Sequence, residues 1–346
     1  MEKQTTKRAS SKSPRKKGKR SDIARLAPIN LKEQERAFFQ ANCAVNPTFE
    51  YPSRPAMLTN SAFTGELLPT AIAILARCLA DFASESNFLA SDGGELLDQS
   101  QTEECIRQYM GNLNLPCTYQ IVFSETAIAP TSVVHRESDN FAIITCALPL
   151  VYRRNRILGV LHHEIGTHLL RSLNEKLQVW YKKRNLYKLQ PYAKTEEGLA
   201  CINTQYEAAV TGRKCYLWSA ALHYYAICKA QEMSFVELFQ DLEQYVDDPF
   251  RRWKECVRVK RGLVDTSLKG GCVRDVVYLE GAVEILRRRR ELDFHKLYSG
   301  KLTLTDLCRP EISRRCKTGL LPSFLQEPAK YLSALDRVAE VNGIVI

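Results

Sequence analysis

The sequence predicts an α+β chain that is mainly α, and three observations carry that prediction. Beyond residue 195, segment after segment repeats its apolar residues at roughly 3.6-residue spacing. Only two runs, Cys117–Phe123 and Phe141–Cys146, are β-branched and aromatic enough, between polar borders, to form strands. A helix crowded with histidine follows directly on the second of them.

Taken in order, residues 1–21 are low-complexity and basic. Met1 to Arg20 holds nine Lys/Arg and one acid, so +8 of the chain's +10 sits in this stretch. It is expected to be a disordered tail, serving as a solvated extension, as an electrostatic tether to a polyanion, or as a nuclear-import signal. The remaining body is close to neutral, which argues against a nucleic-acid-binding surface. A short helix is expected near Leu31–Gln40. The spacing of Leu67, Ile72, Leu75, Leu79 and Phe82 predicts a core helix or helix pair, and a further helix follows over Glu95–Leu113. After the strands, the histidine-bearing helix spans Arg153 to Leu173. Five more helices follow at Glu196–Val210, Lys214–Gln231, Ser234–Val246, Pro249–Val259 and Asp275–Arg290, forming a supporting layer. Thr303–Leu307 is a short turn or helix, and the last helix, Ala329–Val341, is expected to pack on the outside.

Composition sets the outer bounds. The 346 residues, 45% of them apolar, can bury a real core. No run of eighteen apolar residues exists, so no membrane span is expected. The charged N-terminus lacks the apolar segment of a secretory signal. Twelve cysteines are scattered without C-x-x-C pairs, and Cys78, Cys146 and Cys228 lie in apolar stretches. Reduced cysteines in a cytosolic or nuclear protein fit this pattern.

The chemistry is concentrated in His162-His163-Glu164-Ile165-Gly166-Thr167-His168. Two histidines with a glutamate after the first are what a catalytic zinc site needs, neutral nitrogen ligands beside a base for the bound water. The spacing H-E-x-x-x-H is one residue longer than the zincin H-E-x-x-H. In a regular helix residues five apart point roughly 140° away from each other and cannot share an ion. One wider, π-type turn brings His163 and His168 onto one face, and Gly166, at a cost of about 1 kcal/mol in helix stability, permits it. The helix is therefore zincin-like, with a small sheet beside it and the later helices as support. His162 is assigned to packing or to support of the ligands. Catalytic zinc commonly takes a carboxylate as third ligand. Glu196 and Glu197, in the first turn of a helix that Thr195 would cap, are the candidates.

H-H-E-I-G-T-H-L-L-R-S-L-N-E from His162, followed by T-E-E-G-L-A from Thr195, resembles the H-E-x-x-x-H metallopeptidases that include the microtubule-associated tyrosine carboxypeptidases, which remove the C-terminal tyrosine of α-tubulin. Bacterial relatives carry Q-E-G-L-A, whose carboxylate aligns with Glu197. The resemblance continues through Asn46–Tyr51, Arg258–Gly262, Gly270-Gly271 and Arg274–Gly281, and reaches about Leu307. It implies one Zn2+ per chain held by His163, His168 and Glu197, with Glu164 as the general base. It divides the chain into the tail at 1–21, an N-terminal helical part of the catalytic domain at 22–115, and a metallopeptidase core at 116–346. A substrate ending in a free carboxylate calls for arginine's planar fork, so Arg258, Lys260 and Arg261 are candidate grips. Tyr278 is a candidate hydrogen-bond donor to the developing oxyanion.

The expected partner is the glutamate-rich C-terminal tail of α-tubulin, and with it microtubules, in a cytoplasmic, cytoskeleton-associated protein with a nuclear fraction possible through the tail. The basic, aromatic segment Val179–Lys188 between the ligand-bearing elements is either a solvated loop anchored by its aromatics or a wall of the cleft that attracts acidic peptide. By analogy with zinc peptidases, an edge strand beside the metal helix would hold the substrate backbone. Two other classes stay open: a zinc peptidase of the same family acting on other peptides, and a non-catalytic microtubule-binding protein whose metal is structural.

Overall fold

Thr118–Ser124 (β1), Thr131–Arg136 (β2) and Phe141–Ala147 (β3) form the one sheet among the described residues of the chain's computed structural model, which describes residues 26–53, 63–127 and 129–345. The expected basic tail lies outside the described residues. The strand order is β1-β3-β2, with β1 parallel to β3 and β2 antiparallel to it, Thr131 standing opposite Cys146. Ala142, Ile144 and Cys146 alternate into the core while the residues between them stay half-exposed, the period-2 pattern of a sheet with one buried face. β2 was not among the expected strands, and it makes β3 central. The edge nearest the histidine helix is therefore β2, whose Val133 approaches Glu164.

The histidine helix is a continuous rod in three parts: α-helical Ile157–His163, π-helical Glu164–Leu169, and α-helical Leu170–Glu175. Leu161, Ile165, Leu169 and Leu173 pack on the buried face of the sheet and on Ile106, Tyr109 and Met110 of the Gln99–Asn112 helix. Leu170 turns the other way, into a larger core built from Leu199, Leu222, Phe235, Trp253 and Leu286 among others. The rod is thus clamped between two apolar clusters, which holds its polar face in place. Trp218–Ala230 is apolar nearly all round and sits in the middle of the helical layer, against Leu68–Phe82 on one side and Pro249–Lys260 on another.

One local expectation changes. The helix carrying Glu196 and Glu197 runs Ala193–Thr204, and Thr195 does not cap it. Its first turn closes when the Glu196 N–H donates to the Tyr192 carbonyl at 2.9 Å, so Thr195 already lies inside and is buried. Ala193 and Lys194, both good helix formers, extend the helix backwards. The last helix, Pro328–Val341, lies on the outside as expected, with Ala329, Lys330, Ser333 and Glu340 exposed and its other face turned inward. Tyr331, Ala334, Leu335 and Val338 form a buried stripe, and the Tyr331 hydroxyl donates to Asn203 Oδ1 at 2.7 Å, behind the histidine rod. None of the twelve cysteines is disulfide-bonded. No helix among the described residues is long and apolar enough to cross a membrane.

Candidate metal centre

The π-turn does what the spacing demands. Leu170 donates its N–H to Ile165, five residues back, and the His163 and His168 rings come to 4.9 Å between centroids, inclined at 73°. Space for the wider turn depends on Gly166. A Cβ there would stand 2.6 Å from the Tyr109 hydroxyl and 3.2 Å from the Phe324 ring.

Glu197 arrives from the next helix through a glycine crossing. Ala193–Thr204 meets Val277–Arg288 where Gly198 faces Gly281, and a Cβ on either would collide with the other helix's backbone. This contact sets the depth at which the E-E-G segment lies. One ligand atom from each of His163, His168 and Glu197 falls within 4.8 Å of the others. Glu197 Oε2 is 3.9 Å from His163 Nε2 and 3.5 Å from His168 Nε2, and this buried oxygen makes no hydrogen bond.

The donor set fits a metal ion. Both Nε2 atoms face Glu197 because both Nδ1 atoms are occupied elsewhere, as second partners of metal-binding imidazoles usually are. His163 Nδ1 lies 3.1 Å from Thr204 Oγ1, which itself donates to the Ala200 carbonyl. His168 Nδ1 lies 3.0 Å from Glu196 Oε1. Glu196 is buried and is held by Lys301 Nζ at 2.9 Å and by the Arg171 guanidinium, which also donates to the Leu297 and Leu302 carbonyls at 3.1 and 2.7 Å. Two nitrogens and one carboxylate, with an oxygen lacking any other partner, form a donor set that could hold a metal ion such as zinc.

The charges follow from burial and from these partners. Burial, and then the neighbouring His168, press the His163 imidazole down to about 4, so it is neutral as a ligand must be. Burial opposes a charge on His168 too, but the carboxylates of Glu196 and Glu197 outweigh it and bring that ring up to about 10, so the metal-free ring carries a proton that a bound ion would have to displace. Burial pushes the Glu164 carboxyl up to about 7; Glu197 adds to this, while His168 and the Val133 N–H act against it. A carboxyl near neutrality on the open side of the cluster is suited to passing a proton in either direction.

His162 points away from the cluster. Its Nδ1 meets the Tyr109 hydroxyl at 2.7 Å and its Nε2 meets Glu207 at 3.0 Å, with Phe324 edge-on to the ring. Arg258 and Arg261 both bond the buried Asp275, at 2.6 and 2.8 Å. The Arg258 guanidinium lies 5.6 Å from the centre of the Tyr278 ring. Tyr278 is half-buried, and its hydroxyl is raised by burial and then by the Glu197 charge, which places Tyr278 on the Glu197 side of the cluster.

Lys260 corrects the sequence reading. It is fully buried, and its ammonium donates to the carbonyls of Leu268 at 2.9 Å and Gly270 at 3.0 Å and to that of Met233. Its three N–H donors are thereby spent on the chain's own backbone, because a buried ammonium must be satisfied internally. Glu196, read only as a neighbour, turns out to be what holds His168. The sequence signal for this was Arg171, three residues beyond His168 on the same helix and so available to reach the same carboxylate.

With this geometry in hand, comparison with known proteins is informative. The family model described as microtubule-associated tyrosine carboxypeptidase matches residues 75–342. Microtubule-associated tyrosine carboxypeptidase 1 of Rattus norvegicus is 36% identical over 93% of this chain and 69% of its own length. The Homo sapiens protein of the same name is 36% identical over 93% and 68%. The putative tyrosine carboxypeptidase MATCAP2 of Mus musculus is 35% identical over 93% and 62%. On the family match and these identities together, the chain belongs to the microtubule-associated tyrosine carboxypeptidase family.

Proposed function

We propose that this chain is a zinc-dependent carboxypeptidase that removes the C-terminal tyrosine of α-tubulin. The observation that carries the metal assignment is the buried Glu197 Oε2, without a hydrogen-bond partner and faced by the Nε2 atoms of His163 and His168. The names of the relatives support tyrosine carboxypeptidase activity and microtubule association, and hence a place on the cytoskeleton.

His163, His168 and Glu197 would hold the zinc, in a zincin-like arrangement. When bound, the ion supplies a Lewis acid and lowers the pKa of its water toward ~7. Glu164 would take the proton from the attacking water and deliver it to the leaving amine. Tyr278 would donate to the oxygen that gains charge. Arg258, bonded to Asp275 and lying beside the Tyr278 ring, would meet the substrate's terminal carboxylate. β2 offers its outer edge to the substrate backbone.

The test is intact-mass analysis of α-tubulin tails incubated with wild type and with Glu164→Gln. Loss of one tyrosine mass with wild type, and at least a hundredfold less with the variant at equal zinc content, is expected. Full turnover by the variant would sink the general-base role. No product from zinc-loaded wild type would move the substrate elsewhere.

A further inference from the structure

The segment between the ligand-bearing helices folds onto a small core of its own, separate from the two that clamp the metal helix. Trp180, Leu302 and Ile312 are its buried centre, with Tyr187 and Leu307 packed against it. The segment is pinned from several sides. Trp180 Nε1 and Arg184 bond Glu175 at 3.2 and 3.0 Å, the Arg309 guanidinium donates to the carbonyls of Tyr187 and Lys188 at 3.1 Å each, and the Gln190 N–H donates to Asp306 at 3.2 Å. Lys182 and Lys188 hold φ of 56° and 50°, a conformation that costs a non-glycine residue about 1 kcal/mol or more and persists only where the surroundings impose it. The outer surface of this subunit of the fold is a preformed groove lined by Leu186, Tyr187, Lys188, Arg309, Glu311, Ile312 and Arg315, in which Arg309 pairs with Glu311 at 2.9 Å and leaves Lys188 and Arg315 as the unpaired cations.

Its charge is unlike that of the rest of the body. Residues 177–190 and 308–318 contain eight Lys/Arg and one acid, so outside this patch and the first twenty residues the chain is net acidic. Lys183, Lys188, Arg314, Arg315 and Lys317 form no ion pair among the described residues, whereas most cations elsewhere are paired. Among these cations stands Leu186, 75% exposed. Unpaired cations around an exposed apolar side chain on a rigid groove call for a partner that is both anionic and apolar. The Tyr187 ring meets Trp180 in an edge-type contact, 6.4 Å between centroids.

We propose that this groove is an exosite for an acidic peptide segment bearing one apolar side chain, the stretch of substrate that precedes the cleaved end; the identification with substrate rests on the peptidase reading above. The groove is wired to the metal centre. Glu175 ends the histidine rod and accepts the Lys301 N–H at 2.7 Å, and Lys301 Nζ bonds Glu196, the partner of His168.

The test is fluorescence anisotropy of a labelled glutamate-rich peptide containing one leucine, measured with the full chain and needing no turnover. Lys188→Glu with Arg315→Glu should weaken binding at least tenfold, with a steep salt dependence. Leu186→Ser should weaken it severalfold, and only for the leucine-containing peptide. Reversal of two exposed lysines elsewhere, Lys32→Glu with Lys254→Glu, should change it little. Equal losses from both double reversals would show net charge alone and overturn the exosite. Tighter binding of a single-stranded oligonucleotide, lost in the same variants, would overturn it in favour of nucleic acid. In a photo-crosslinking version, adducts at 186–188 and 309–315 are expected, and adducts confined to the first twenty residues would also overturn it. A chain that binds peptide here but cleaves nothing would refute the peptidase reading while leaving the groove as a binding site.

Discussion

Glu196 Oε1 lies 3.0 Å from His168 Nδ1, while its second oxygen is taken by the fully buried Arg171. Of two adjacent glutamates, one therefore aims at the metal position and the other aims the histidine. Their side chains diverge by about 100° around the helix axis, which would let a single turn supply both a proposed ligand and the group that orients another.

Replacing Glu196 by glutamine should weaken zinc binding by about 10–100-fold, since loss of such an orienting partner typically costs that much. It should also destabilise the fold by about 3–5 kcal/mol, because the Arg171 charge is left buried without its carboxylate. Chelator competition and urea unfolding of the metal-free chain read the two effects separately. Zinc affinity equal to wild type would refute the orienting role.

Gly198→Ala and Gly281→Ala should each destabilise the protein by roughly 1–3 kcal/mol, because the added methyl meets backbone that has no room to move. Gly198→Ala should also weaken zinc binding, since it shifts the adjacent Glu197. Gly212→Ala, where no atom lies within 4 Å of the new carbon but φ is +74°, serves as a control for backbone strain alone. It should cost stability without touching metal affinity.

Arg258→Ala should lower kcat/KM about 10–100-fold on peptides ending in a free carboxylate, the value of one charge-assisted hydrogen bond. C-terminally amidated peptides should be poor substrates for both proteins and show no further loss. Equal losses on the two substrate types would assign Arg258 to holding Asp275 in place and nothing more.

Glu255 provides a pH dependence remote from the metal. Burial pushes its carboxyl up, but His223 at 2.5 Å and Arg251 at 2.9 Å outweigh burial and hold it well below the usual carboxylate range. A depressed folded pKa contributes stability that is present above the unfolded value near 4.5 and is lost as pH falls below it. In that window one proton is worth about 1.4 kcal/mol per pH unit. Glu255→Gln should remove this contribution, giving a shallower acid limb in urea midpoints measured from pH 6 to pH 3. An unchanged limb would place the acid sensitivity in other carboxylates.

By itself the sequence determined the features that depend on neighbours along the chain. H-E-x-x-x-H dictates a widened turn because only a π-turn puts His163 and His168 on one face, and that turn is present at Glu164–Leu169. The helical layer was legible because its apolar spacing is a local property of each segment, and β1 and β3 were legible as β-branched runs. β2 was missed because Thr131–Arg136 is short and mixed, and becomes a strand by pairing with β3. The motif resemblance already implied Glu197, but tertiary structure alone gave Glu196 its place against His168, through the Gly198–Gly281 crossing and the Arg171 and Lys301 partners. It likewise turned Lys260 inward to backbone carbonyls and brought the last helix beneath the metal rod. A side chain's type states what it can bond; which partner it meets depends on segments more than a hundred residues away, and only packing brings those together.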